Sequence, residues 1–330
     1  MWSGESCESG YGGPRLSCET GYRIAAESFP AAIHLRRRKS ALHLPLHHRT
    51  MLHSGSHSSG GQRRGVRSGM ARGMTNMRMY ALILWFGMHS GAAQAPNHPR
   101  VPIFIELFTS EGCSSCPPAD AWLQNMDATQ PIPGADIVVV SEHVDYWNHD
   151  GWKDPYSSSE LTERQSVYAR EFGLSSPHTP QTIVNGQTEL HLNDPQQGIK
   201  IFQKSAEAST IPLTIGPISV NGSSPALLRA HIDIAGQSQR VSAEVFSAIA
   251  LDHAESQVLR GENGGKRLTH VAVVEELKKI GKLEKGRDFS IDFQTKLPPG
   301  ADPHNMRLIV FLQQSGQGKV LGAAMRRPGA

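Results

Sequence analysis

From residue 101 onward, the hydrophobic and polar positions fall into two textures. VPIFIELFTS (101–110) is short, apolar and rich in β-branched and aromatic residues, which predicts a buried strand. In PPADAWLQNM, Ala119, Trp122, Leu123 and Met126 fall at helical spacing, so a helix follows. PIPG breaks that helix, and ADIVVVSEHV predicts a second buried strand around 137–140. Two buried strands bridged by a helix make a βαβ unit with parallel pairing. DYWNHDGWKDPYSS reads as an aromatic, polar loop. SSSELTERQSVYAREFG reads as a helix capped by Ser158 or Ser159, with Leu161, Val167, Tyr168 and Phe172 partly along one face. Asn185-Gly186 between the alternating runs 181–184 and 188–192 predicts a hairpin. DPQQGIKIFQKSAEAS closes this stretch as a helix.

The predicted order over residues 101–209, β-α-β-α-β-β-α, is that of a thioredoxin core. From Ile211 the period becomes 2. LTIGPISVNG, ALLRAHIDIAG, RVSAEVFSAIAL, DFSIDFQTKL and MRLIVFLQQ alternate between turns of Gly, Pro, Asn and Asp. THVAVVEELKKIG (269–281) is the one helix predicted among them. The fold class expected is therefore an α/β thioredoxin-like domain, 101–209, followed by a mainly antiparallel β-sandwich-like domain, 210–330.

Composition changes the picture at the N-terminus. The chain of 330 residues has a net charge of +3, but residues 1–73 hold 11 Lys+Arg against 4 Asp+Glu and the remainder 22 against 26. The basic excess of +7 belongs to the first segment, and the rest carries −4, which offers nothing to nucleic acid. Residues 1–73 keep no periodicity and read as a disordered basic extension or as a start placed too far upstream. Within 74–95, MRMYALILWFGMHSGAAQA has a short positive beginning at Arg78, an apolar tract over 80–88 and a small-x-small site at Ala93-Gln94-Ala95. That is the anatomy of a secretory signal peptide. Its apolar tract is short of the roughly 20 residues that span a bilayer, so export without stable membrane insertion is expected, an uncleaved anchor being the rival. Cleavage after Ala95 would remove Cys7 and Cys18 and leave Cys113 and Cys116 alone in an oxidising compartment, periplasmic or secreted.

Those two cysteines carry the candidate chemistry. A redox dithiol needs one readily formed thiolate and a second sulfur within reach. A strand–CxxC–helix junction supplies both, because the helix N-terminus favours the thiolate of Cys113 and the two-residue spacer lets Cys116 close the disulfide. Zinc would require further ligands, and His143, His149 and His178 show no zinc spacing. A structural disulfide remains the bland alternative. Thr179-Pro180 stands where thioredoxin folds place a cis-proline beside the disulfide, so a cis bond near Cys113 is expected. His143, Asp145 and Trp147, past the second strand, are candidates with Thr179 for a substrate groove; the alternative is a loop held by buried aromatics and a satisfied His–Asp pair. Trp152, Lys153 and Asp154 read the same way. Glu106 is a candidate proton acceptor for Cys116. RGENGGK (260–266) lacks the spacing of a phosphate loop and reads as a turn at the edge of the second domain. No cofactor or metal is implied.

ELFTSEGCSSCPPAD, HVDYWNHDGWKDP, RQSVYAREFG, TPQTIVNG and RGENGGKRLTH occur in order and together resemble a secreted bacterial thioredoxin-like family catalogued as a domain of unknown function. The resemblance covers about residues 101–327. It implies a thioredoxin fold with a β-rich C-terminal part in an exported protein, and no substrate. The functional expectation is an exported thiol–disulfide oxidoreductase whose partners are protein thiols or disulfides, or a redox partner protein. The alternatives are a non-catalytic binding or assembly module with a structural disulfide, and a copper(I) chaperone.

Overall fold

The computed structural model describes residues 100–222, 225–236 and 241–329. The readings of 1–73 and of the signal at 74–95 lie outside the described residues. The described part belongs to one compact unit.

Its first half runs β1 (Val101–Thr109), α1 (Pro117–Thr129), β2 (Ala135–His143), α2 (Ser159–Glu171), β3 (Gln181–Val184), β4 (Thr188–Glu189) and α3 (Pro195–Ala206). β1 and β2 are parallel and in register from Val101↔Ala135 to Thr109↔His143, as a helical crossover requires. β3 lies antiparallel to β1 on its other side. Asn185 and Gly186 both take positive φ, which makes the tight turn before β4. Ser158 caps α2 by accepting from the backbone N–H of Glu160, and Asp194 caps α3 by accepting from Gln197.

Side chains of β1 go alternately to two cores. Ile103, Ile105 and Leu107 pack with Leu123 and Met126 of α1 and Phe202 of α3. Phe104 points the other way, stacks on Phe311 at 4.5 Å between centroids and shares a core with Leu161 of α2. Glu106 shares that second face and is fully buried. It accepts two hydrogen bonds from the Arg164 guanidinium and one of 2.6 Å from the Tyr168 hydroxyl. The proposed pairing of Glu106 with Cys116 is thereby corrected: its carboxylate is committed to α2, while α1 packs on the opposite face of β1.

The second half adds β5 (Leu213–Ile215), β6 (Ser219–Asn221), β7 (Leu227–Ile234), β8 (Ala243–Gln257), β9 (Arg267–Leu283), β10 (Phe289–Lys296), β11 (Met306–Gln313) and β12 (Val320–Arg326). It does not form a self-contained sandwich. β9 lies parallel to β2 at Ser141↔Val273, so one eight-stranded sheet runs β12-β11-β8-β9-β2-β1-β3-β4 through both halves. The fold is mixed α/β around a large, mostly antiparallel sheet. The sandwich character survives locally: the smaller sheet β10-β7-β5, with β6 on β7, lays Leu228, Ile232 and Phe293 against Val245, Ile249, Leu308 and Val310.

The helix expected over 269–281 is instead the middle of β9. The reason is a bulge: Val274 faces Ala250 and Glu276 faces Ile249, so Glu275 is skipped in the pairing. The bulge shifts the alternation by one residue, and apolar positions that alternate along a strand then fall three apart, as on a helix. Val271, Val273 and Val274 carried the strand preference.

Charge is buried where α2 meets the sheet. Arg164 lies between Glu106 and Glu142, 3.4 Å from the latter, and also donates to Gln313 Oε1 at 3.1 Å. Burial pushes Glu142 up to about 8, against the pull of Arg164 and with repulsion from Glu106. A carboxyl raised in this way favours the folded state while protonated. Its contribution is therefore complete below the unfolded value of 4.5 and is lost as pH climbs towards 8. Relative to wild type, the Glu142→Gln variant should gain stability across that window by up to about 1.4 kcal/mol per pH unit. Urea unfolding at pH 5, 6, 7 and 8 checks this, and parallel pH profiles for the two proteins would contradict it.

Candidate functional site

β1 ends at Thr109, and the chain turns through Ser110, Glu111 and Gly112 into Cys113. Backbone hydrogen bonds of 3.1 Å from Cys113 N to Ser110 O and 3.2 Å from Cys116 N to Cys113 O tighten the loop. Gly112 is required there, because a Cβ would come within 2.9 Å of Trp147 Cβ. Cys116 is the N-cap of α1, its carbonyl accepts from Ala119 and Asp120, and Pro117 opens the helix where a missing N–H costs least. Cys113 and Cys116 form a disulfide with their Cα atoms 5.5 Å apart. Both cysteines are 0% exposed, while Ser114 and Ser115 between them face solvent.

The Thr179–Pro180 bond is cis. Trp147 connects it to the cysteine loop, since the same residue that touches Gly112 donates from Nε1 to Thr179 Oγ1 at 2.8 Å. Asp145 takes a different part: its carboxylate accepts from Thr162 Oγ1 at 2.6 Å and steadies the first turn of α2. His143 is fully buried and lines no surface groove in this structure. Its Nδ1 meets Asp154 Oδ2 at 2.7 Å. Asp154 also accepts from the backbone N–H of Glu111 at 2.8 Å, which ties the long aromatic loop to the residue two before Cys113. Burial works against the Asp154 charge, but His143 and the backbone donors of Glu111 and Tyr156 outweigh it and hold its carboxyl below the usual range.

Behind the disulfide loop lies a buried cluster of ionisable groups. His270 of β9 sits between Glu111 (3.4 Å) and Asp120 of α1 (3.6 Å), with His143 packed edge-on at 4.7 Å between ring centroids. Glu111 also accepts from Trp152 Nε1 at 2.8 Å, and Asp120 from Thr109 Oγ1 at 3.2 Å. Desolvation opposes the imidazolium, yet the two carboxylates carry His270 up to about 10. Both of its ring nitrogens, Glu111 Oε1 and Asp120 Oδ1 lack a hydrogen bond, so at these distances the pairing is by charge. Among the described residues, no group of three or more His, Cys, Asp or Glu is arranged to hold a metal ion.

The segment 260–266 is not an edge turn of a second domain. It is the β8–β9 connection, and the pairing of β9 with β2 brings it onto the cysteine loop. Asn263, fully buried, donates from Nδ2 to Glu111 O and Cys113 O, both at 2.9 Å. Glu262 accepts from the backbone N–H of Ser114 at 3.0 Å.

Residues 104–313 match the model of the family described as "Protein of unknown function (DUF1223)". The chain belongs to this family. Among solved structures it is similar to protein AGR_C_4864 from Agrobacterium tumefaciens. They share 26% identity at a TM-score of 0.53, covering 71% of this chain and 96% of that one. It is also similar to HBP35 of Porphyromonas gingivalis, at 14% identity and a TM-score of 0.51, covering 71% of this chain and 78% of that one. The second likeness shows the fold alone. No curated protein matches the chain.

The DUF1223 segment contains the whole constellation, including Glu111, Asp120, Glu262, Asn263 and His270, to which sequence reasoning assigned no role. Asp120 offered one signal: a charge among the apolar positions of α1, directly after the cysteines. His270 was hidden by the bulge that disguised its strand.

A histidine raised on folding stabilises fully below its unfolded value of 6.5 and loses that contribution as pH approaches 10. Wild-type stability should therefore fall between pH 7 and 10, by up to about 1.4 kcal/mol per pH unit from this group. His270→Gln should be less stable at pH 6.5 and lack that component of the slope. Urea titrations of both proteins across the range decide it, and equal slopes would refute the charged His270.

Proposed function

We propose that this chain is an exported thioredoxin-like protein that exchanges its Cys113–Cys116 disulfide with protein thiols. The observation that carries the reading is a CxxC disulfide at a strand-to-helix junction, joined through Trp147 to a cis-proline. The order β-α-β-α-β-β-α supports the thioredoxin-like assignment, and the tract at 80–95 supports export. A helix N-terminus next to Cys113 favours its thiolate, which is the form that attacks or leaves.

The exchange balances as follows. A substrate thiolate attacks Cys113 Sγ, the Cys113–Cys116 bond breaks, and the electron pair goes to Cys116 Sγ. A second thiolate of the same substrate then attacks the substrate sulfur of the mixed disulfide and releases Cys113. The substrate dithiol loses two electrons and two protons, and the cysteine pair gains them. The reverse sequence reduces a substrate disulfide. Thr179 and Trp147, both partly exposed beside the cis bond, are placed to border the approaching chain.

The full burial of both cysteines favours a second reading, in which the disulfide is a staple and the protein is a binding or assembly module. The two differ in turnover. On the first reading, reduced protein accelerates the reduction of insulin by dithiothreitol, and Cys113→Ser abolishes the acceleration. Absence of acceleration by wild type, or undiminished acceleration by Cys113→Ser, rejects it in favour of the staple.

A further inference from the structure

The segment lying on the cysteine loop comes from the far half of the chain, about 150 residues away in sequence, since Asn263 and Cys113 are separated by 150 positions. Three observations bear on what it does there. First, Asn263 bridges two carbonyls on either side of Gly112, those of Glu111 and Cys113, and its own Oδ1 is held at 2.9 Å by Lys266 Nζ. The amide thus clamps the backbone that carries Cys113. Second, the disulfide beneath is fully buried, although both residues of its spacer are exposed. Thiol–disulfide exchange requires a thiolate to reach a sulfur, and a sulfur without exposure offers no approach. Third, the Glu262 carboxylate takes the N–H of Ser114. That N–H belongs to the residue directly after Cys113 and is a backbone donor beside its sulfur. A carboxylate that occupies this donor and adds a negative charge nearby works against a thiolate at Cys113.

We propose that the strap 260–266 governs the disulfide: Asn263 positions the Cys113 backbone so that its sulfur stays withdrawn, and Glu262 disfavours the Cys113 thiolate. Both are positioning residues acting on Cys113 through its loop. The hydrogen bonds from Ser114 hold the Glu262 carboxyl below its usual range, in keeping with a carboxylate that stays charged at the loop. The other charged groups facing this loop are Lys266 on the strap, Glu111 just past β1, Asp154 of the loop after β2, and Asp120 and His270 behind it. None of them contacts the Ser114 N–H that Glu262 holds.

The inference takes from the proposed function only that Cys113 is the exchanging sulfur, and its readouts need no turnover. In reduced protein, the pH profile of Cys113 alkylation by iodoacetamide, followed on the isolated peptide, should move to lower pH in Glu262→Gln. The rate at pH 7 should rise about threefold, as expected for removing one screened charge. In oxidised protein, the rate of reduction by a water-soluble phosphine should rise about tenfold in Asn263→Ala, because removing the clamp frees the loop. If Asn263→Ala does not fold, Lys266→Gln releases the same amide from its anchor and should give a smaller acceleration of about threefold. An unchanged alkylation profile in Glu262→Gln overturns the electrostatic part. Phosphine reduction no faster than wild type in the folded clamp variant overturns the positioning part. Shifts in these rates together with a failed insulin assay would leave the strap in place and remove the oxidoreductase.

Discussion

The structure depends on one seam. β2 could have been the edge of a small α/β sheet, presenting unpaired backbone groups beside the apolar row Val138 to Val140. Instead β9 docks parallel to it at Ser141↔Val273. An exposed edge of this kind is a liability for aggregation, and covering it from within the chain removes the liability. The same pairing fixes where everything attached to β9 must lie. It places His270 behind the cysteine loop, carries the β8–β9 connection onto Cys113, and extends the sheet through β8, β11 and β12. A second tie reinforces the first. Buried Arg307 of β11 makes paired hydrogen bonds of 2.9 and 3.0 Å to the carboxylate of Asp127 in α1 and another of 2.7 Å to Asp252.

The two faces of the sheet near β1 carry buried charge of different kinds. On the α2 face, Arg164 is surrounded by Glu106, Glu142, Tyr168 and Gln313, and the guanidinium also lies over the rings of Tyr168, Phe246 and Phe311. Removing Arg164 or Glu106, the tightly paired members, leaves an uncompensated buried charge, a loss of about 3–5 kcal/mol, whereas Glu142 is the carboxyl whose charge the site disfavours. These residues come from β1, β2, α2 and β11, so the network also specifies how the two halves register. Just past the C-terminal end of β1, the group of Glu111, Asp120 and His270 is less fully hydrogen-bonded. Both nitrogens of His270 and one oxygen each of Glu111 and Asp120 make no hydrogen bond, and the histidine is held between the two carboxylates by charge.

Much of the first half was legible along the chain. Apolar runs at 101–110 and 137–140, a helical stripe between them and Asn185-Gly186 each depend on local spacing, and local spacing is what a sequence displays. Arg164 was not legible, because a buried cation inside an amphipathic helix looks like any exposed one until its partners arrive from other elements. The seam was hidden for a related reason. Ser141 and Val273 are far apart in sequence, and nothing local marks a strand as the neighbour of a particular distant strand. The error over 269–281 compounded this, since a helix there cannot extend a sheet. Once the bulge at Glu275 is recognised, His270 becomes an inward position of a strand, and RGENGGK becomes a hairpin connection with a defined place to go.

The disulfide and the seam also differ in when they can form. Cys113 and Cys116 are three residues apart, so their closure needs only a local turn, whereas β9 must be synthesised and delivered before it can find β2. During synthesis and folding there is consequently an interval in which the thiols exist and their cover has not arrived. An oxidant present in that interval meets the cysteines before β9 does. Whatever redox state they acquire then is the state the arriving strand encloses.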